Sequence, residues 1–189
     1  MILTESKLRE LTPQVRVLTE AVAQTRTFSR VYHNLSVFLS HKHTDIDSLN
    51  RVRTILERLN AHVYVDWADP EMQHPTDRTT AEALKRKICD YDKFIFVATD
   101  AAIASTWCNW EIGYGDAQKY ATDKIALFPI KQDNGDWRGN EYLQLYPIIV
   151  YHDGTVRYAG SNRVIPQGFY VRYTFNNNII IPLIQWLER

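Results

Sequence analysis

The sequence predicts an α/β protein built on an open parallel β-sheet with helices on both faces. Two observations predict this class. From residue 35 onward, short apolar runs typical of buried strands alternate with amphipathic segments typical of helices. Each intervening segment is long enough to form the crossover helix that two parallel strands require, and such crossovers are right-handed. The alternation therefore favours parallel strands covered by helices on both sides.

The expected elements follow one another in the order β-α-β-α-β-α-β. Strands are expected at 35–40, 62–66, 93–99 and 124–130, and helices at 45–60, 79–90 and 106–119. Two of the helix starts have capping-box spacing, because Thr44 stands three residues before Asp47 and Thr79 stands three before Glu82. The caps support helices that begin close to those two threonines.

Two segments flank this core pattern. In residues 6–26, apolar side chains recur at steps of three and four, which predicts an amphipathic helix with Pro13 as a kink or a start. We interpret 1–34 as an N-terminal helical extension and 35–189 as the domain. Its core pattern spans 35–130, and 131–189 is a C-terminal completion.

The completion is harder to assign than the core. A polar loop follows Ile130, and the apolar run 147–154 is expected to be an edge strand, because Pro147 suits an edge or a strand start. The remainder, 155–189, has no clear pattern until an expected final helix near 182–189.

Composition excludes several classes of function. With 189 residues, 45% hydrophobic and 23% charged, the chain fits one globular domain. Lys and Arg number 22 and so do Asp and Glu, so no broad basic surface is expected for nucleic acid or an anionic membrane. The apolar run 179–187 is half a membrane span and contains a proline. The N-terminus lacks an apolar leader, and reduced cysteines in a cytoplasm are the expectation.

A ligand is expected at one edge of the predicted sheet. In open parallel sheets, ligands bind at the carboxyl ends of the strands, which here are followed by 40–45, 66–78 and 99–111. The start of the 45–60 helix is a possible phosphate position, with Lys42 adding charge. No glycine-rich phosphate loop is present, which argues against a dinucleotide dehydrogenase or a nucleoside triphosphatase.

The stretch STWCNWEIGYG, 105–115, contains the most unusual acid in the chain. On a helix, Glu111 lies beside Trp107 and Cys108 on one turn and Tyr114 on the next, so it is expected on or beside the apolar stripe, on a partly solvated face. Gly113 and its neighbour Gly115 each cost a helix roughly 1 kcal/mol, which is tolerable where another backbone or a ligand approaches closely.

The segments VFLSHKHTDID, VYVDW and STWCNWEIGYG together resemble the Toll/interleukin-1 receptor (TIR) domain family, particularly its bacterial members. The resemblance covers roughly 35–130. Trp107, Cys108 and Glu111 match the WCxxE motif of the enzymatic branch residue for residue. It implies the flavodoxin-like TIR fold, in which the second strand leads into a long mobile loop.

The resemblance also implies an activity. Enzymatic TIR domains cleave NAD at the nicotinamide–ribose bond, with the motif glutamate, here Glu111, essential. Bacterial members often make an ADP-ribose-derived signal in anti-phage defence, and their sites are commonly completed between two TIR domains. The implied partners are therefore NAD as substrate, other TIR domains through 66–78, and an effector that senses the product. No cofactor and no metal are expected.

The chemistry suits a single carboxylate. Ordinary glycosidases need two carboxyl groups, because an alkoxide leaving group must be protonated. Nicotinamide leaves NAD as a neutral pyridine from a cationic precursor, so no general acid is required. A well-placed negative charge then suffices to stabilise the oxocarbenium-like ribose.

Each remaining candidate has a structural alternative. Trp107 can offer a stacking surface or pack in the core, as can Tyr114. Cys108 is expected to be a small packed residue near the substrate, since no basic residue adjoins it to make a thiolate. His41 and His43 form an HxH pair without further metal ligands.

The loop residues are equally open. Ser40 and His41 are expected to line the ribose or pyrophosphate pocket, with strand-end capping as the alternative. Asp66 is a ligand contact or a turn acid, and Trp67 is a ring platform or a packed loop residue.

Three functions compete. The leading hypothesis is an NAD-cleaving TIR enzyme. The second is a non-catalytic TIR scaffold, against which the intact WCxxE motif counts. The third is an enzyme like the nucleoside deoxyribosyltransferases, a similar α/β architecture that also uses a glutamate on a sugar.

Overall fold

The computed structural model describes residues 1–15, 35–66, 78–173 and 179–189. Within them, the strands form one mixed sheet. Their bounds are β1 Leu3–Thr4, β2 Ser36–Ser40, β3 His62–Tyr64, β4 Lys93–Ala98, β5 Ile125–Lys131, β6 Ile148–His152, β7 Gly168–Arg172 and β8 Ile180–Pro182. The helices are α1 Glu5–Leu11, α2 Ile46–Arg58, α3 Arg78–Asp90, α4 Asp100–Ile103, α5 Thr106–Lys119 and α6 Leu183–Leu187.

The central strands confirm the predicted parallel sheet. The spatial order is β3-β2-β4-β5-β6-β7-β8, and every neighbouring pair from β3 to β6 is parallel. From β2 to β6 this is the flavodoxin-like order, in which the second strand lies outside the first and the third lies on the other side of the first. The predicted alternation of strands and helices between 35 and 131 is therefore correct.

Helices cover both faces of the sheet because side chains alternate along each strand. In β4, Ile95 and Val97 face a core that also contains residues of α1, α2 and α6. Phe94 and Phe96 face a second core, formed with α3, α4 and α5. All six side chains of β4 are buried, as a central strand requires.

The predicted edge strand is an interior strand. β6 pairs with β5 on one side and with β7 on the other, and β7 pairs antiparallel with β8. Pro147 stands immediately before β6, where it marks the strand start and its carbonyl accepts a hydrogen bond from Leu127. The part of the chain that had no clear pattern thus supplies two antiparallel strands, and the predicted final helix corresponds to α6.

The first residues of the chain belong to the same fold. β1 pairs with the end of β5, and Leu3 and Leu8 are buried in the core beneath α2. Helix α1 ends at Leu11, before Pro13, so the predicted single helix over 6–26 does not continue through the proline. Residues 16–34 lie outside the described residues, and the boundary at 34 and 35 stays a prediction.

Neither capping box forms as expected. Thr44 lies inside a 3₁₀ turn, His43–Asp45, and α2 begins after it with no side-chain cap from Asp45. Thr79 lies within α3, which already includes Arg78.

In the part of the chain that the structure describes, no helix combines the length and apolar character that a membrane span requires.

Candidate active site

The strand order reverses between β2 and β4, and the carboxyl ends of these strands form the crevice where flavodoxin-like sheets bind ligands. Ser40 is the last residue of β2, and Asp66 follows β3 after one residue. Helix α5 packs against β4 and carries Glu111. Residues 40–45, residue 66 and residues 99–111 do lie around this edge of the sheet, while residues 67–77 of the second segment lie outside the described residues.

Local sequence explains how α5 reaches this position. The Ser105 hydroxyl caps the helix by accepting a hydrogen bond from the backbone N–H of Cys108. Two turns later, a β-carbon at Gly115 would lie 2.9 Å from the ring of Phe94 on β4, so only glycine allows this approach. The expected close approach is therefore confirmed at Gly115, but Gly113 faces open space.

Glu111 is enclosed at the centre of the site. Only 2% of its surface is exposed, and its Oε2 accepts a 2.5 Å hydrogen bond from the Ser40 hydroxyl. The expected partly solvated face is wrong, because a helix period shows which residues share a face but not which strand end covers that face.

Burial changes the acidity of Glu111. Loss of solvation is the largest cause, the nearby Asp66 carboxylate adds to it, and together they raise the pKa of Glu111 to about 8. The hydrogen bond from Ser40 and the adjacent indole of Trp107 oppose this rise, since they stabilise the ionised form. At neutral pH the free site therefore holds a mostly protonated carboxyl group.

His41 and Asp66 lie on the same side of the site. The His41 side chain is buried, and its Nδ1 is 3.6 Å from Asp66 Oδ1 and 3.3 Å from the carbonyl oxygen of Leu39. Loss of solvation lowers the pKa of His41, so the imidazole is neutral at pH 7.

Cys108 fastens α5 to the end of β2. Its thiol donates a 3.2 Å hydrogen bond to the backbone carbonyl of His41, and burial raises the pKa of this thiol to about 11. The packed, un-ionised form that the sequence favoured is the one present. Direct contact of Cys108 with a substrate stays a prediction.

Aromatic rings continue from the site along α5. Trp107 stacks on Trp110 with ring centroids 4.9 Å apart, and Trp110 stacks on Tyr114 at 6.2 Å. All three rings are half-buried and pack against the core beneath α5. The packing role of Trp107 is therefore present, and its indole lies beside Glu111 and lowers the pKa of that carboxyl. Stacking of a substrate ring on Trp107 stays a prediction.

The start of α2 is a poor position for phosphate. Asp45 accepts a hydrogen bond from the Thr99 hydroxyl, and Asp47 in the first turn pairs with Arg51. Two carboxylates already occupy the positive end of this helix, and they would repel an anion. Lys42 is half-buried nearby, and its charge opposes the rise that burial causes in the pKa of the Cys108 thiol.

Most of the predicted site residues thus come together. A hydrogen bond links Ser40 and Glu111, and Trp107, His41, Asp66 and Cys108 adjoin them. Trp67 and nearly all of the 66–78 loop lie outside the described residues. The sequence did not indicate the Asp45–Thr99 link, since a single threonine after a strand carries no signal of its partner.

Comparison with known families identifies the family of this chain. The model of the TIR domain family matches residues 37–159. The chain belongs to the TIR domain family. This confirms the family resemblance and the fold that it implied.

This TIR domain is similar to two curated bacterial proteins. It is 30% identical over 117 residues to the probable 3' cyclic ADP-D-ribose synthase ThsB' of Bacillus cereus (strain MSX-D12). It is 27% identical over 81 residues to the putative cyclic ADP-D-ribose synthase TIR2 of Cytobacillus dafuensis. The alignments cover 60% and 41% of this chain and span only 59% and 21% of the two relatives.

Proposed function

We propose that this TIR domain cleaves NAD at the nicotinamide–ribose bond and transfers the ADP-ribosyl group to a hydroxyl, giving a cyclic ADP-ribose. The observation that carries the proposal is the enclosed Glu111 carboxyl, held by Ser40 at the carboxyl end of β2. The two similar proteins named as cyclic ADP-D-ribose synthases support the same reaction. NAD is a substrate in this reaction, which needs no bound cofactor.

The substrate supplies a positive charge beside Glu111, which the neutral side chains of Ser40 and Trp107 do not. Ser40 and Trp107, which favour the ionised form of Glu111, are both neutral, so neither compensates a carboxylate fully. The nicotinamide ring of NAD is a cation, and the ribose gains positive charge as the ring departs. Binding of this cation favours ionised Glu111, which then stabilises the transition state across a short, poorly solvated distance.

The bond breaks without a general acid. The electron pair of the bond between ribose C1 and nitrogen stays with nicotinamide, which leaves as a neutral molecule. Glu111 faces the oxocarbenium-like carbon, and a hydroxyl oxygen forms the new bond to that carbon. A hydroxyl of the same molecule gives a cyclic product, and water gives linear ADP-ribose.

Incubation of the purified protein with NAD tests the proposal. We expect nicotinamide release, measured by liquid chromatography, and a product whose mass is that of ADP-ribose less one water. Glu111→Gln should lose this activity, whereas Glu82→Gln, which changes an exposed acid of α3, should retain it. Absence of nicotinamide release by the native protein would reject the proposed function.

We extend the proposal to the biological role. A diffusible cyclic product suits a signal that a separate effector senses, in a defence response against phage. We also propose that TIR domains associate with one another to complete the site. The near-complete enclosure of Glu111 favours this, because a substrate reaches the carboxyl only after a rearrangement.

The competing functions predict different outcomes. A non-catalytic scaffold would leave NAD intact while still self-associating. An enzyme like the nucleoside deoxyribosyltransferases would exchange bases between deoxynucleosides and ignore NAD. Supplying deoxynucleosides in a parallel incubation separates these two outcomes.

A further inference from the structure

The mechanism above leaves one buried group without a task. The Nε2 atom of His41 has no hydrogen-bond partner, although the residue is only 5% exposed. Buried polar atoms without partners are rare in folded proteins, because each one loses its hydration without replacement. An unpaired atom beside an active site therefore points to a partner that arrives with the substrate.

The other ring nitrogen fixes the proton arrangement. Both neighbours of Nδ1, the Leu39 carbonyl at 3.3 Å and Asp66 Oδ1 at 3.6 Å, are acceptors. Nδ1 must therefore carry the hydrogen of the neutral ring, which leaves the lone pair on Nε2. The buried imidazole thus presents an acceptor that nothing else in the described chain uses.

His41 is also held in place relative to Glu111. It follows Ser40, whose hydroxyl binds Glu111, and its backbone carbonyl accepts the hydrogen bond of Cys108 from α5. Two hydrogen bonds therefore tie the end of β2 to the helix that carries the glutamate. Residue 41 and Glu111 therefore belong to one closely linked part of the site.

We propose that His41 is the general base that accepts the proton of the attacking hydroxyl, and that Asp66 positions its ring. The proposal rests on the proposed function and assigns the proton transfer that accompanies attack of the hydroxyl. As the hydroxyl oxygen bonds to ribose C1, its proton passes to Nε2, and the electron pair of the broken bond leaves with nicotinamide. The resulting imidazolium is stabilised by Asp66 and returns its proton to water when the product departs.

A nucleophile without a proton tests this assignment. Nicotinamide attacks through a ring nitrogen that carries no hydrogen, so exchange of isotope-labelled nicotinamide into NAD needs Glu111 but no base. Transfer to a hydroxyl, whether of ribose or of water, needs both. The informative quantity is the ratio of hydroxyl-transfer rate to exchange rate, measured by mass spectrometry in one incubation.

His41→Asn is the test variant. The asparagine amide can replace Nδ1–H as the donor to Leu39 but offers no basic nitrogen in place of Nε2. We expect the ratio to fall roughly a hundredfold, the usual contribution of a general base, with exchange largely retained. Asp66→Asn should lower the same ratio by a smaller factor. His43→Asn, on an exposed imidazole 5.6 Å away, is the matched control and should leave the ratio unchanged.

The outcomes separate the two proposals. An unchanged ratio in His41→Asn, or equal losses of exchange and transfer, would overturn the role of His41 even if NAD cleavage is confirmed. Loss of both reactions in the native protein would overturn the proposed function itself. Thermal melting accompanies each variant. Where His41→Asn does not fold, Asp66→Asn decides, and an unchanged ratio there rejects the proposal.

Discussion

Strand β2 begins and ends with the same chemistry in two different environments. At its start, the Ser36 hydroxyl donates a 2.5 Å hydrogen bond to the exposed carboxylate of Asp92. At its end, the Ser40 hydroxyl donates a 2.5 Å hydrogen bond to the buried carboxyl of Glu111. The two bonds match in partners and length. Asp92 and Glu111 therefore differ in their surroundings and not in this hydrogen bond.

Burial separates the two ends. Asp92 keeps contact with water, whereas Glu111 has lost it and lies near a second carboxylate, Asp66. Loss of water strengthens every remaining electrostatic interaction of Glu111 and makes an arriving cation more favourable. A serine–carboxylate pair is therefore a structural link at one end of the sheet and a candidate catalytic group at the other.

The largest expected effect comes from replacing the two acids of this comparison. Glu111→Gln should lower nicotinamide release at least about a hundredfold, because the amide cannot ionise to stabilise the positive charge that develops on the ribose. Asp92→Asn, the matched change at the opposite end, should leave activity per folded molecule unchanged. Initial rates at saturating NAD provide the measurement, and comparable losses in both variants would contradict the assignment.

A second prediction concerns two tryptophans at the two ends. Trp186 is fully buried beneath the start of β4, whereas Trp107 is half-buried beside Glu111. Trp186→Ala should destabilise the fold by about 3–5 kcal/mol, and Trp107→Ala by about 1–2 kcal/mol. Chemical denaturation measures both free energies of unfolding.

Activity gives the opposite ranking for these variants. Trp107→Ala removes the indole beside Glu111 that favours the ionised carboxyl, and it should lower the rate per folded molecule. Trp186→Ala should lower only the folded fraction. If Trp107→Ala retains the native rate, the indole serves packing alone.

The sequence predicts some parts of the molecule much better than others. Strands β2 to β5 and helices α2, α3 and α5 were predicted close to their observed bounds, because buried strands and amphipathic helices leave periodic apolar patterns in the chain. The gathering of Ser40, Asp66 and Glu111 was predicted too, since parallel strands place their carboxyl ends at one edge.

The failures share a physical cause, which is dependence on distant partners. β1 has two residues and exists through pairing with β5, more than a hundred residues away. β6 is interior only because β7 follows it after a long connection. The burial of Glu111 depends on the end of β2, which no helical period reveals.

The third prediction uses pH to compare buried ionisable groups at the two ends of the sheet. Lys93 begins β4, is buried with its ammonium nitrogen 4.4 Å from the centroid of Trp186, and has its pKa lowered to about 8 mainly by loss of solvation. Glu111 has its pKa raised to about 8 from 4.5. The two groups should therefore give stability profiles of opposite slope.

The sign follows from proton binding. Between about pH 4.5 and 8, the folded protein keeps the Glu111 proton that the unfolded chain loses, so native stability should fall relative to Glu111→Gln as pH rises. Between about pH 8 and 10.5, the unfolded chain keeps the Lys93 proton that the folded protein loses, so stability should rise relative to Lys93→Met. Each slope is at most about 1.4 kcal/mol per pH unit.

Differences between native and variant unfolding free energies isolate each group, since all other titrations cancel. Parallel profiles for native protein and Glu111→Gln would show that the carboxyl ionises in the fold as it does in the unfolded chain.

The smallest expected effects come from replacing the two serines. Ser40→Ala removes a neutral hydrogen-bond donor from Glu111, which should lower nicotinamide release roughly tenfold, the equivalent of one hydrogen bond to a charged group. Because that bond stabilises the ionised form, its loss should also raise the pKa of Glu111 further, and the pH at which activity reaches half its maximum should move upward.

Ser36→Ala is the control at the other end of the strand. It removes the hydrogen bond to Asp92 and leaves the backbone N–H of Asp92 without its serine acceptor, so it should lower stability slightly and leave the pH–rate profile in place. A shifted profile in Ser40→Ala alone would show that the hydroxyl tunes the acid. Identical profiles in both variants would reduce Ser40 to the structural role that Ser36 already has, and Glu111 would then depend on burial and on Trp107 for its reactivity.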